Sequence, residues 1–292
     1  MKPITIILSS IVAAAIIMVG CSMSSGVSIS DGNLKDATVK KSVKIGNFNK
    51  ISAQNGIRVV YTQGKSTGVA NIATTPSAEK YLKVSVSNGE LTVRYEGKGN
   101  INIKGPSIIS VSSPDLQEVD LSSAARLNVK GNLNLSNKLE IDMSSASKAS
   151  FNEITAKEIE IDLSSSASVN IGKANVNNLN IDMSSASKVE IDKAIAKNLD
   201  VETSSASKAI FNYFNGTGIQ AEASSASTIS IAGITASKIY GEASSGAKVV
   251  LKGQCEYLNR DASSGGKVDI SGLNVPNLPK KSSKKHAPVR EP

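Results

Sequence analysis

Eight acidic residues recur at near-constant spacing: Asp120, Asp142, Asp162, Asp182, Glu202, Glu222, Glu242 and Asp261, at intervals of 22, 20, 20, 20, 20, 20 and 19 residues. One residue after each stands a serine pair, from Ser122-Ser123 to Ser263-Ser264, and then a tiny residue: Ala124, Ala146, Ser166, Ala186, Ala206, Ala226, Gly246 or Gly265. Carboxylates stacked on one strip could share hard cations such as Ca²⁺ through oxygen ligation. Left uncompensated, they would repel one another. Six of the eight copies supply a base four residues after the first serine: Arg126, Lys148, Lys188, Lys208, Lys248 and Lys267. The expectation is structural charge balance across the corner, with a cation ladder as the alternative. The serines could present ordered hydroxyls to a glycan or to water. Packing and backbone hydrogen bonding at a tight corner explain them more simply.

Other chemistry has little material to work with. The chain holds one histidine, His286, and two cysteines, which leaves no Ser/His/Asp set and no Cys/His zinc site. No Gly-rich phosphate loop is present. Copies of 19 to 22 residues leave no room for the long loops that wall the groove of a β-helical polysaccharide lyase. No catalytic residue and no cofactor are therefore expected. Aromatic residues make up 3% of the 292, with no Trp, which argues against sugar or base recognition by ring stacking. Cys255 falls in an apolar column and reads as a small buried hydrophobe.

The repeat dictates the elements that carry these residues. In Leu179-Asn180-Ile181-Asp182-Met183 the apolar period is two, the mark of a half-buried strand. Beyond the Ser-Ser-Ala corner, Val189 and Ile191 resume the inward face, and Ala194 and Ala196 form a third short segment before Leu199 opens the next copy. Three short strands and three corners fit a coil with one turn per copy. Each strand then pairs in parallel with its equivalent one rung on, at roughly 4.8 Å. The expected fold is all-β: a single-stranded parallel β-helix of about 20 residues per rung, right-handed by the usual crossover preference.

The ends read differently. Residues 1–20 carry Lys2, an apolar run from Ile4 to Val19 and then Gly20 before Cys21, as in a signal peptide. The run of sixteen residues is short for a membrane span. Met18-Val19-Gly20-Cys21 resembles a bacterial lipobox, which makes Cys21 the expected lipidation site and a lipid-anchored envelope protein, most simply at the outer membrane, the expected location. Residues 21–39 read as a Ser/Gly-rich tether. Of the formal net charge of +8, the last thirteen residues contribute +4 and Lys2 one more, leaving the body at about +3. No nucleic-acid surface is implied. Residues 279–292 read as a basic disordered tail. Pro276, Pro279 and this tail follow the last rung, where they would guard against end-to-end growth.

Residues 119–278 hold the regular repeats, while residues 40–118 read as degenerate rungs or an all-β cap. Leu82-Lys83-Val84-Ser85-Val86-Ser87-Asn88-Gly89 mirrors Leu139 to Ala146, and Ile51 to Ile57 can be laid on Val119 to Leu127 with a two-residue gap. Gly46-Asn47-Phe48-Asn49-Lys50-Ile51, Asn55-Gly56-Ile57-Arg58-Val59, Tyr61-Thr62-Gln63-Gly64 and Asn88-Gly89-Glu90-Leu91-Thr92-Val93 resemble the opening of the head GIN domain. That family comprises adhesin-like lipoproteins of Gram-negative envelopes. The resemblance spans roughly residues 40–275 and implies a right-handed β-helix at the cell surface or in the periplasm, with no functional residue to carry over. The combined expectation is a non-catalytic lipoprotein with a membrane anchor, binding a glycan or protein through a rigid lateral face. A periplasmic scaffold and an enzyme acting on acidic polysaccharide are the alternatives.

Overall fold

The computed structural model describes residues 27–30, 36–98 and 101–276. Among the described residues strands dominate, and the single α-helix is the four-residue turn Pro76–Glu79. From Lys138 onward the chain winds as a parallel β-solenoid with one lap per repeat. The Ser168–Met183 strand pairs with Lys188–Thr203 through Ser168↔Lys188, Ala174↔Ala194 and Asp182↔Glu202, skipping Gly172 and Asn177, where the chain bends. Each lap thus has three pairing segments, as the apolar period implied.

Inward side chains stack in columns. Leu139, Ile159, Leu179, Leu199, Ile219 and Ile239 lie over one another and are buried. Volume is conserved lap by lap rather than column by column. In the lap from Lys208 to Ala223, bulky Phe211 and Phe214 face inward together with small Ala221 and Ala223, and all four are buried. The neighbouring lap places Ala194 where Phe214 stands and Val201 where Ala221 stands. A close-packed interior tolerates this exchange because the total volume is kept. The bulk of Phe214 has a local cost. A Cβ on Gly216 would stand 1.8 Å from the Ala196 carbonyl oxygen and 2.8 Å from Phe214 Cζ, so this position admits only glycine.

Residues 40–118 supply both rungs and a hood. The strands Lys50–Ala53 and Arg58–Gln63 pair in parallel with Glu118–Leu121 and Arg126–Lys130 on one side. On the other they pair in parallel with Glu90–Tyr95 and Ile108–Ser113. The sequence therefore enters the stack at its second lap, and the outermost lap comes later in the chain. Over that outermost lap the direction of pairing reverses. Leu82–Ser87 runs antiparallel to Glu90–Tyr95, Val69–Thr74 antiparallel to Ile108–Ser113, and Val39–Lys44 antiparallel to Val69–Thr74.

Two alignments made from the sequence need correction. Val119 lies on Ile51 and Leu127 on Val59 with one constant offset, so no gap intervenes and Ile57 stacks beside Ala125 rather than Leu127. Leu82–Gly89 is not a rung corner. Asn88-Gly89 closes a hairpin, because Ser87 pairs with Glu90 directly across the turn. Within the span read as a tether, Val27–Ser30 forms a strand parallel to Ile101–Lys104; its Val-Ser-Ile-Ser alternation has strand period. Cys21 and residues 279–292 lie outside the described residues.

Candidate functional site

The corner is built from backbone conformation. At Ser185 and Ala186 φ is 55° and 61°, and the same left-handed pair recurs from Ser123-Ala124 to Ser264-Gly265. The N–H of Ser187 donates to the carbonyl of Ser184 at 3.2 Å, closing the turn. Two consecutive residues with positive φ inside such a bond make a type I′ turn. That turn ordinarily wants Asn-Gly, and Asn55-Gly56 supplies it at the first corner, with φ of 61° and 66°. Elsewhere Ser-Ala accepts a conformational penalty of about 1 kcal/mol per residue. Stacking offsets it: the N–H of Ala186 donates to Ser205 O at 2.9 Å, Ala206 to Ser225 O at 3.0 Å, and Ala226 to Ser245 O at 3.1 Å. The second serine and the alanine of the corner are exposed, while the residue that follows points inward, as Ser187, Ser207 and Ser227 do. Ser207 Oγ donates to Ser204 O at 2.7 Å and Ser227 Oγ to Thr203 O at 2.9 Å. This interior serine column was missed in the sequence, where it was hidden behind the more regular Ser-Ser pair.

All eight acids form one ladder. Asp120 is level with Asp142, and the pairing continues through Asp162, Asp182, Glu202, Glu222 and Glu242 to Asp261. Below Asp120 the column continues as Ser52 and Thr92, so the acids belong to the regular laps alone. Burial, then Asp162, Glu140 and Asp120, push the Asp142 carboxyl up to about 6. Burial and neighbouring acids likewise raise Asp120, Asp162 and Glu202. The bases form a ladder of their own on the far side of the corner, Lys188 over Lys208 and Lys248 over Lys267. Two of these lysines pair on their own side of the corner rather than across it. Lys188 Nζ donates to Glu190 Oε2 at 2.7 Å and Lys248 Nζ lies 3.9 Å from Asp269 Oδ2, both on the base's own side. Asp182, Glu202, Glu222 and Glu242 line a furrow of about 160 Å³ with Ser204, Ser224 and Ser244. Among the described residues no group of three or more His, Cys, Asp or Glu is arranged to hold a metal ion.

On the same sheet, two columns from the acids, a broader basin of about 530 Å³ opens between Asn198 and Asn259. Its origin is a gap in an amide ladder. Asn198 Nδ2 donates to Asn178 Oδ1 at 3.0 Å, but the next lap has Gly218 at this level, and Asn198 Oδ1 faces the space a Cβ there would meet at 3.4 Å. Asp200, Gln220, Lys238, Tyr240 and Tyr257 surround the gap. Tyr257 is 58% exposed. The Tyr240 hydroxyl donates to Glu242 Oε2 at 2.5 Å, which ties the basin to the acid ladder. Sequence reasoning missed the basin because its members come from four laps and three columns, and none carries a motif. The other cysteine, Cys255, is buried, and burial raises its thiol above the usual range.

Among the described residues no helix is long and apolar enough to cross a membrane. No curated protein matches the sequence. Solved structures match the fold. A "putative adhesin from Parabacteroides merdae ATCC 43184" superposes with a TM-score of 0.67 at 16% identity, covering 84% of this chain and 98% of that one. A "Putative lipid binding protein from Parabacteroides distasonis ATCC 8503" gives 0.66 at 15%, with coverage of 83% and 98%. A "putative adhesin" from the same P. distasonis strain gives 0.66 at 17%, with 83% and 99%. At such identities the likeness concerns the fold alone. The family model described as "Putative auto-transporter adhesin, head GIN domain" matches residues 47–233, well over half of the sequence, and the chain belongs to that family.

Proposed function

We propose that the protein is a non-catalytic, envelope-anchored lipoprotein that binds through the lateral faces of a stiff β-solenoid, with Cys21 as the lipid attachment site. The observation that carries this reading is the continuity of the stack. From Asp120 to Asp261 the acid column passes from lap to lap, the register shifts only locally, as between Ile231 and Ile234 and between Val250 and Lys252, and no inserted loop walls off a cleft. Such a surface offers extended, repeating contacts rather than an enclosed pocket. The adhesin description of the family and of two structural relatives supports the same reading. Two measurements test it. Replacing Cys21 with Ser is expected to move the protein from the detergent phase to the aqueous phase on partitioning. Protease treatment of intact cells is expected to remove the solenoid. Full protection would exclude surface display and favour a periplasmic scaffold instead.

A further inference from the structure

We propose that the basin beside Gly218 is a binding subsite for a neutral saccharide, with Tyr257 as the stacking platform and Asp200 as a hydrogen-bond acceptor; this deepens the surface-binding reading and rests on it.

Three observations converge. First, the protein has six Tyr, four Phe and no Trp, yet Tyr240 and Tyr257, the second of them more than half exposed, border the same depression. A flat ring standing clear of a polar sheet is suited to the C–H face of a pyranose, whereas burial elsewhere in the core would serve packing better. Second, two acceptors belong to residues that line the basin, Asp200 and Asn198. One carboxylate oxygen of Asp200, Oδ1, is buried with no hydrogen-bond partner. Asn198 Oδ1 faces the space left by Gly218, where its amide ladder stops. An unsatisfied buried acceptor is destabilising, a cost that a ligand hydroxyl donating to it would remove. Third, the charge is balanced. Asp200 and Lys238 are the charged groups lining the basin, and the acid ladder runs alongside. An anionic sugar would meet Glu222 and Glu242 at close range, so a neutral hexose or N-acetylhexosamine fits best. The rim residues Lys238, Tyr240 and Tyr257 lie beyond the stretch matched by the family model.

The test uses the purified full chain and a panel of neutral hexasaccharides (cello-, malto-, manno- and chitohexaose), with polygalacturonate and oleate micelles as competitors. Binding is read by tyrosine fluorescence and calorimetry. Saturable binding of at least one neutral hexasaccharide is expected, weakened tenfold or more by Tyr257→Ala and about fivefold by Asp200→Ala. Tyr213→Ala, at the other exposed tyrosine and outside the basin, is expected to leave affinity unchanged. Tyr257 is exposed enough that its loss should not alter the thermal midpoint, which separates loss of a site from loss of fold. Absence of binding to all four sugars, binding that survives Tyr257→Ala, or a preference for polygalacturonate or oleate would each overturn the subsite. Adhesion of the protein to a host matrix in the face of that result would leave the surface-binding reading standing.

Discussion

The hood over the first laps and the regular stack that follows use one turn for two ends. Asn55-Gly56 and Asn88-Gly89 both have paired positive φ values, yet the first is a corner between strands that pair with neighbouring laps, and the second closes an antiparallel hairpin. The turn does not choose between these outcomes; the partners available to its flanking strands do. Among the described residues Leu82–Ser87 has no parallel lap beyond it and folds back on Glu90–Tyr95, whose other edge takes Lys50–Ala53 in parallel. Further along, Ser-Ala replaces Asn-Gly at five corners, Ser-Ser at one and Ser-Gly at the last two, and the strain at the interior corners is tolerated because laps on both sides hold the backbone in place. The laps beneath the hood also hold buried rings, Phe48 edge-on to Tyr61 at 6.5 Å, while the regular stack is mainly aliphatic.

The largest expected contrast is steric. Gly216→Val, in the middle of the stack, would drive side-chain atoms into the Ala196 carbonyl and should cost about 4 kcal/mol or more. Gly64→Ala, beside the hood where nothing lies within 4 Å, should change stability by less than about 0.5 kcal/mol. Urea denaturation of the pair measures the difference, and equal effects would show that the stack is not the more constrained region.

Exchanging the corners tests the account of strain. Installing Asn-Gly at Ser185-Ala186 is expected to stabilise the protein by about 1 kcal/mol, and the converse change to Ser-Ala at Asn55-Gly56 to destabilise it by a similar amount. A shift in urea midpoint at constant slope is the readout. Loss of stability in the first swap would mean that the serine hydroxyl, rather than the backbone, governs the corner.

The third contrast is electrostatic, since the acid column gives way to Ser52 and Thr92 in the first laps. Asp142 holds its proton up to about 6, against an unperturbed 3.8. The folded state therefore binds the proton more tightly than the unfolded chain does. Stability should fall as the pH rises from about 4 to about 6 and stay reduced above that. Asp142→Asn should restore about 1 kcal/mol at pH 8, a figure discounted for the solvent that reaches this half-buried group, and nothing at pH 4. Thermal scans across that range give the sign directly; a wild-type midpoint that climbs between pH 4 and pH 6 would refute the assignment.

How far the sequence disclosed this molecule depended on periodicity. The twenty-residue recurrence of the acids and the alternation in Leu179–Met183 were enough for the fold and for the ladder, because parallel stacking repeats each position at a fixed interval. The hood was less legible. Asn88-Gly89 has the same turn chemistry whether it makes a corner or a hairpin, and strand pairing across 25 to 35 residues, as between Val39–Lys44 and Val69–Thr74, leaves no local trace. The left-handed Ser-Ala corners were hidden for a different reason: those residues disfavour that conformation, and only the stacked neighbours impose it. The lysines four residues beyond the first serine looked like partners for the acids in one dimension and stand on another face in three. The basin could not be read at all, since it arises from the absence of a side chain at Gly218 between residues some twenty positions apart.

One asymmetry sets how the molecule comes apart. The first lap is covered by reversed strands, but among the described residues Lys267–Asn274 is bonded on one side only, to Lys248–Ala262. In a linear stack held by nearest-neighbour contacts, melting starts where a layer has a single neighbour. Erosion should therefore advance from the last turn toward the covered one like a zipper opened from its lower end. Amide exchange is expected to be fastest at Lys267–Asn274 and to slow progressively toward Lys50–Gln63.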